Sequence, residues 1–339
     1  MKWHEESTFI HLIELSTMKP LRKKFVVKPL FLLHIAGIGG RYYALGETPF
    51  MQEICLDTLE TKERRTLYRE GSLVTTSPLG NCYTVGHAVS LTGPKYNVLK
   101  FPADGGATEI AARLAPRWRL SPCYMHSLGV TDRYLVIIEM PLGVSVSEVV
   151  SDVFNNLAFL DGMKWHEESQ PLRGAQHEDF RRSFYSSLNR VVLPASDSDA
   201  RTEIPVKVMP LSATAALENP IINPVFGRRK HRYIYGMGVS SEGGDRGQVT
   251  KLDVETGDVK LFSEELLYCG DSVFIPKPGG GNEDDGLVVT FCVRSDEPQF
   301  GCLVFIDAKT MTEVGRVCFL PTSSVSVPLH GIFVPKELH

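Results

Sequence analysis

Several signals are missing from this 339-residue chain, and each absence excludes something. Charge of one sign is not in excess: 36 Lys and Arg stand against 40 Asp and Glu, which leaves no electrostatic case for a nucleic-acid partner. No window approaches 18 uninterrupted apolar residues, so no membrane-spanning helix is expected. The opening stretch MKWHEESTFIHLIEL carries early acidic residues and lacks the basic and apolar regions of a signal peptide. The seven cysteines (Cys55, Cys82, Cys123, Cys269, Cys292, Cys302 and Cys318) are dispersed and include no C-x-x-C pair, which removes the zinc and dithiol motifs built on that spacing. Most lie in apolar runs, as Cys292 does in LVVTFCV, where a free thiol behaves as a small buried hydrophobe. A reducing, cytoplasmic setting is therefore expected. Ten histidines form no H-x-x-x-H or H-E-x-x-H pair, so any metal site must draw its ligands from separate segments.

What is present is one design used repeatedly. Residues 9–27, 53–68, 95–114, 249–262 and 301–319 each show an alternating apolar run, a polar turn and a second alternating run. Alternation at period two places one face on a core, and a turn of the D-x-x-T-G type joins antiparallel strands. Hairpins recurring through one domain, residues 1–339, point to an all-β architecture, either a sandwich or a β-propeller. Residues 142–160 break the rule. Val146, Val149, Val150, Val153, Phe154 and Leu157 recur at spacings of three and four, the mark of a short apolar helix or else a mobile apolar flap. Such a helix packs on a core or docks on a membrane surface. Four histidines border strand-like runs: His34, His87, His126 and His330. Spacing alone leaves each either structural or a ligand.

The strings YYALGETP (42–49), SPCYMHSLGVTDRYLVIIEMPL (121–142), DGMKWHEES (161–169), ENPIINPVFGRRKHRYIYGMG (218–238), EDDGLVVTFCV (283–293) and VPLHGIFVP (327–335) follow one another along most of the chain. Together they resemble the carotenoid cleavage oxygenase family, its animal branch in particular. The resemblance implies a seven-bladed β-propeller with capping loops. It also implies an Fe(II) held by four histidines and an apolar tunnel for a polyene, a carotenoid or retinoid, taken from a membrane surface. Dioxygen would cleave one double bond to give apocarotenal or retinal products. Retinoid isomerohydrolase chemistry, or an inactive apolar-ligand binder, are the alternatives. On the family pattern His126 and His330 match metal ligands, and His34 is a third candidate. Glu47, Glu218 and Asp271 match the carboxylates that orient such ligands, Asp271 standing where the family has Glu. Val149, Val153, Phe154 and Leu157 fall in the membrane-facing entry segment.

The pattern is also disturbed. The turn expected to carry the first ligand reads VTTSPLGN, without histidine, and His87 follows it as the substitute candidate. MKWHEES occurs at 1–7 and again at 163–169. Residues 1–34 thus read as a displaced copy of the block expected after Ser169. An aberrantly joined coding sequence, a rearranged paralogue whose propeller still closes, and a non-catalytic descendant each account for this. At about 40–45 residues per blade the length just reaches seven blades before any capping loops. An incomplete propeller is therefore the expectation.

Overall fold

The computed structural model describes residues 9–14, 34–45, 50–66, 75–76, 81–90, 92–104, 106–131, 134–140, 142–147, 163–166, 188–192, 207–212, 216–239, 246–319, 325 and 330–335. The chain divides into two compact units, residues 1–173 with 199–201 and residues 174–198 with 202–339.

In the first unit the strands are β1 (Phe9–Glu14), β2 (His34–Ile38), β3 (Arg41–Leu45), β4 (Phe50–Ile54), β5 (Thr61–Thr66), β6 (Thr75–Thr76) and β7 (Cys82–Ser90). They continue with β8 (Gly93–Phe101), β9 (Glu109–Leu114), β10 (Gly129–Val130), β11 (Tyr134–Glu139), β12 (Leu142–Val144) and β13 (Met163–Trp165). Strands β2–β5 and β6–β9 form two four-stranded antiparallel meanders; β1, β11 and β10 form a three-stranded sheet and β12 pairs with β13. The second unit holds β14 (Asn189–Val192), β15 (Lys207–Pro210), β16 (Ala216–Ile221), β17 (Tyr233–Val239) and β18 (Arg246–Asp253). After these come β19 (Val259–Phe262), β20 (Leu267–Pro276), β21 (Gly286–Arg294), β22 (Gly301–Asp307) and β23 (Glu313–Phe319). Here β16–β19 and β20–β23 are four-stranded meanders and β14 pairs with β15.

All four meanders run in sequence order, which is how a chain builds a propeller blade. The turns explain why. In β18–β19 the Asp253 carboxylate accepts from the amides of Glu255 (3.0 Å) and Thr256 (3.3 Å), while Gly257 takes φ +80° and donates to the Asp253 carbonyl. The β22–β23 turn repeats this with Asp307, Lys309, Thr310 and Met311 at φ 61°. The β4–β5 turn keeps the same backbone bonds around Cys55 and Leu59, at φ 58°. Each ends on a left-handed residue, which lets the fourth strand return with the sheet's twist.

Alternation then supplies the cores. Leu45, Leu99 and Phe101 pack between the first two meanders, and Tyr96, Val98, Leu135 and Ile137 between the second and β11. In the second unit Tyr235, Val249, Val288, Val304 and Ile306 fill the space between its two meanders. Helix is nearly absent among the described residues: a single 3-10 turn, Pro224–Phe226, and the two helical residues Val146 and Ser147. The four-stranded sheets described number four rather than seven, and residues 148–160 of the expected apolar helix lie outside the described residues. The hairpins read at 53–68, 95–114, 249–262 and 301–319 are all formed; of 9–27 only the first strand is described. That strand, β1, pairs antiparallel with β11, Phe9 facing Glu139.

Candidate functional site

In the second unit Asp271 and His330, each singled out separately by the family pattern, meet. Strand β20 is the first of its sheet, and its register with β21 shifts between Cys269 and Ser272. The resulting bulge re-aims a side chain that regular pairing would hold elsewhere. Buried Thr290, on β21, donates from its hydroxyl to the Gly270 carbonyl at 3.2 Å, which ties the bulge down. The Asp271 carboxylate then accepts from His330 Nδ1 and from the Gly331 amide, both at 3.3 Å. Burial pushes the Asp271 carboxyl above the usual carboxylate range, and His330 beside it pulls the other way. A carboxylate on Nδ1 selects the tautomer that presents Nε2 as the ligating nitrogen.

Glu218 has the same kind of setting. Its strand, β16, also begins a sheet and also breaks register, between Glu218 and Ile221, with Asn219 at φ 48°. Glu218 pairs with Met237 and Ile221 with Tyr235, so Gly236 lies opposite the bulge. A Cβ there would stand 2.7 Å from the Glu218 carbonyl, so only glycine lets the bulge approach. Strands β16 and β20 touch. Both expected ligand-orienting carboxylates of this unit therefore lie on bulged first strands of neighbouring sheets.

In the first unit His126 is carried by the loop after β9. Its Nδ1 lies 3.4 Å from the Tyr124 hydroxyl, with the two rings stacked. The loop is fixed three residues earlier, at Cys123. The Cys123 amide donates to the Tyr96 hydroxyl at 2.8 Å, and Tyr96 in turn donates to the carboxylate of Glu139. Glu139 is fully buried and also accepts from the Arg117 amide at 3.1 Å. The Cys123 carbonyl is 2.7 Å from His87 Nε2. Since a carbonyl only accepts, Nε2 must carry the proton. His87 and Tyr96 face each other in the β7–β8 register, so one cross-strand pair holds both the backbone N–H and the backbone C=O of Cys123. The candidate His87 thus has its Nε2 committed to the backbone of this loop. The second MKWHEES copy serves the same loop: His166 stacks on Trp118 with centroids 4.0 Å apart and meets Ser121 Oγ at 3.0 Å.

His87 makes a prediction. Burial lowers its pKa, so the folded chain holds it neutral. Below about pH 6.5 the unfolded chain takes the proton first, and the stability His87 contributes is lost as pH falls through its lower folded value. His87→Gln keeps a donor for Cys123 without a titrating group. Urea midpoints from pH 7.5 to pH 5 should decline less steeply in this variant than in wild type; parallel curves would refute the assignment.

His34 begins β2, its backbone paired with Leu45, but its side chain lies outside the described residues, as do Glu47, Val149, Val153, Phe154 and Leu157. Among the described residues no three His, Cys, Asp or Glu side chains gather as a metal ion needs. Also among them, no helix is long and apolar enough to cross a membrane. Sequence reading missed Tyr96, Glu139 and Thr290. One signal existed for Glu139: in YLVIIE it falls in phase with buried Leu135 and Ile137, a carboxylate at a core position.

Fold comparison identifies the architecture first. A tryptophan-to-alanine variant of Synechocystis apocarotenoid oxygenase superposes with a TM-score of 0.63 at 17% identity, covering 88% of this chain and 73% of that one. The cobalt-substituted form of the same Synechocystis protein gives 0.59 at 18% identity, with the same coverage. The fold is an all-β propeller arrangement of four-stranded antiparallel blades.

The model of the retinal pigment epithelial membrane protein family matches residues 6–174 and 167–335, and the chain belongs to this family of carotenoid oxygenases. Its relatives include the carotenoid isomerooxygenase of Galleria mellonella, 26% identical across 90% of this chain and 73% of the relative. The β,β-carotene 15,15'-dioxygenase of Mus musculus is 25% identical across 90% and 70%.

Proposed function

We propose that this protein is an iron-dependent oxygenase that cleaves a double bond of a carotenoid polyene with dioxygen. The observation that carries the reading is His330 meeting Asp271, which a bulged first strand presents, in a chain of this family. The donors suit the metal: neutral imidazoles bind ferrous iron and leave positions open for dioxygen and substrate. His126 and His330 would hold it, with His34 as the third ligand. Glu47 and Glu218 would orient imidazoles as Asp271 orients His330. When bound, iron supplies the activation of dioxygen that the polyene alone does not undergo.

The residues of the chain do the positioning. Asp271 holds His330 in one tautomer, and Thr290 keeps Asp271 in place through the bulge. Tyr96, His87 and Glu139 fix the loop bearing His126. The apolar stretch with Val149, Val153, Phe154 and Leu157 is proposed as the entry for substrate, in peripheral contact with a membrane from the cytoplasmic side. The finer architecture proposed is a seven-bladed propeller of which residues 1–34 supply a displaced piece; it draws support from the two overlapping family matches.

The test is made on the purified full chain, reconstituted anaerobically with ferrous iron. Close to one iron per chain is expected, with aldehyde formed from β-carotene under oxygen. His330→Ala should lose both iron and product, while Asp271→Asn should lower iron affinity by about 10–100-fold. A chain that takes up no iron and yields no product overturns the proposal. Turnover of a retinyl ester without oxygen uptake would favour the isomerohydrolase alternative.

A further inference from the structure

Four of the seven cysteines, dispersed in the sequence, stand in one row of the β20–β23 sheet. Cys269 faces Cys292, Cys292 faces Cys302, and Cys302 faces Cys318. Residues directly opposite in antiparallel strands project from the same face, so the four thiols line a single file across all four strands. Opposed Cα atoms stand about 4.5–5.5 Å apart, inside the roughly 4.4–6.8 Å window of a disulfide. The Cys292 and Cys269 sulfurs are already 3.3 Å apart. Cys269, Cys292 and Cys302 are buried, whereas Cys318, on the edge strand, is exposed.

We propose that this row is a redox modification site, in which a hydroperoxide oxidises Cys318 and the oxidising equivalent moves inward to rest as a Cys269–Cys292 disulfide. In the first step the Cys318 thiol takes one oxygen from the hydroperoxide, giving a sulfenic acid and an alcohol, or water if the oxidant is hydrogen peroxide. The Cys302 thiol displaces water from that sulfur and forms Cys302–Cys318. Cys292 then attacks the Cys302 sulfur and releases the Cys318 thiol. Cys269 attacks the Cys292 sulfur and releases the Cys302 thiol. Two electrons and two protons leave the pair Cys269 and Cys292, and they reduce one hydroperoxide. Each exchange passes only between cysteines directly opposite in register.

Two features support inward passage over direct attack. A bulky oxidant reaches only the edge thiol. Two of the interior thiols resist ionisation: hydrogen bonding to Cys269 and burial push Cys292 up, and burial pushes Cys302 up to about 12. Exchange among them is accordingly slow, on the order of minutes to hours. The final bond closes beside Gly270 and Asp271, at the bulge itself. The inference is independent of whether the chain binds iron.

The experiment treats the full chain with one equivalent of hydrogen peroxide and quenches samples with acid and an alkylating maleimide. Proteolysis at Asp residues then places each of the four cysteines on its own peptide for mass spectrometry. The expected sequence is Cys302–Cys318 first, replaced over minutes to hours by Cys269–Cys292, with two of the seven thiols lost. Cys318→Ser, a surface change, should slow the Cys269–Cys292 bond more than tenfold. Cys292→Ser should arrest oxidation at Cys302–Cys318. The inference is overturned if Cys318 is oxidised while Cys269 and Cys292 stay fully alkylatable on unfolding. It is equally overturned if Cys318→Ser forms the inner bond at the wild-type rate.

Discussion

Lys251→Met is expected to destabilise the second unit by about 3–5 kcal/mol, the cost of leaving a buried charge without its partner. Lys251 lies on β18 and is only 5% exposed. Its ammonium donates to the Asp284 carboxylate at 2.8 Å and to the Ala308 carbonyl at 2.9 Å. The same group sits 4.0 Å from the centroid of the Tyr233 ring, where the face of the aromatic attracts a cation. Burial still pulls the Lys251 pKa below its ordinary value, with Asp284 opposing. One side chain thus ties the middle of one sheet to two turns of the next. Methionine fills the volume but leaves Asp284 facing an apolar group. Adding Asp284→Leu should restore most of the loss, because two apolar groups replace both charges. The Ala308 carbonyl keeps the Tyr235 hydroxyl as donor at 3.0 Å in either variant. Equilibrium urea unfolding of the single and double variants decides the matter. A double variant no more stable than Lys251→Met would show that packing, not the charge, is what Lys251 supplies.

Tyr96→Phe is the second large effect, about 3 kcal/mol from removing one oxygen atom. That oxygen is fully buried between a donor and an acceptor: it receives the Cys123 amide and gives its proton to Glu139. Burial and its polar neighbours push the Tyr96 hydroxyl far above the ordinary phenol range, so it remains a proton donor at any working pH. Without it, a buried N–H loses its acceptor and a buried carboxylate loses a charge-assisted bond. The loop that bears His126 should loosen. The specific readout is hydrogen exchange at the Cys123 amide, which should quicken well beyond the change in global stability. Glu139→Gln retains an acceptor for Tyr96 and should cost less. Unchanged protection at Cys123 in Tyr96→Phe would remove Tyr96 from its positioning role.

Much of the fold was legible because alternation and turn chemistry are local. LDVETGD and IDAKTMT each write a carboxylate, a threonine and a left-handed position into five residues, and the sheets form around them. Family strings spread from residue 42 to 335 carried the propeller arrangement, though the four-stranded sheets among the described residues number four and not the seven they imply. Asp271 was legible as an acceptor for a histidine, and it meets His330. The bulge that aims it was not, because a register shift depends on how β20 and β21 pair rather than on either strand alone.

The same division runs through the whole protein. Residue identity and spacing determine the all-β character, the family and the chemistry of the candidate ligands. Pairing across strands decides which of these groups meet. It turns His87 toward a carbonyl, places Tyr96 between a backbone amide and a carboxylate, and draws four scattered cysteines into one file. The physical reason is that a side chain's neighbours two residues away are set by the covalent chain. Those across a sheet are set by register, which packing of the entire core selects.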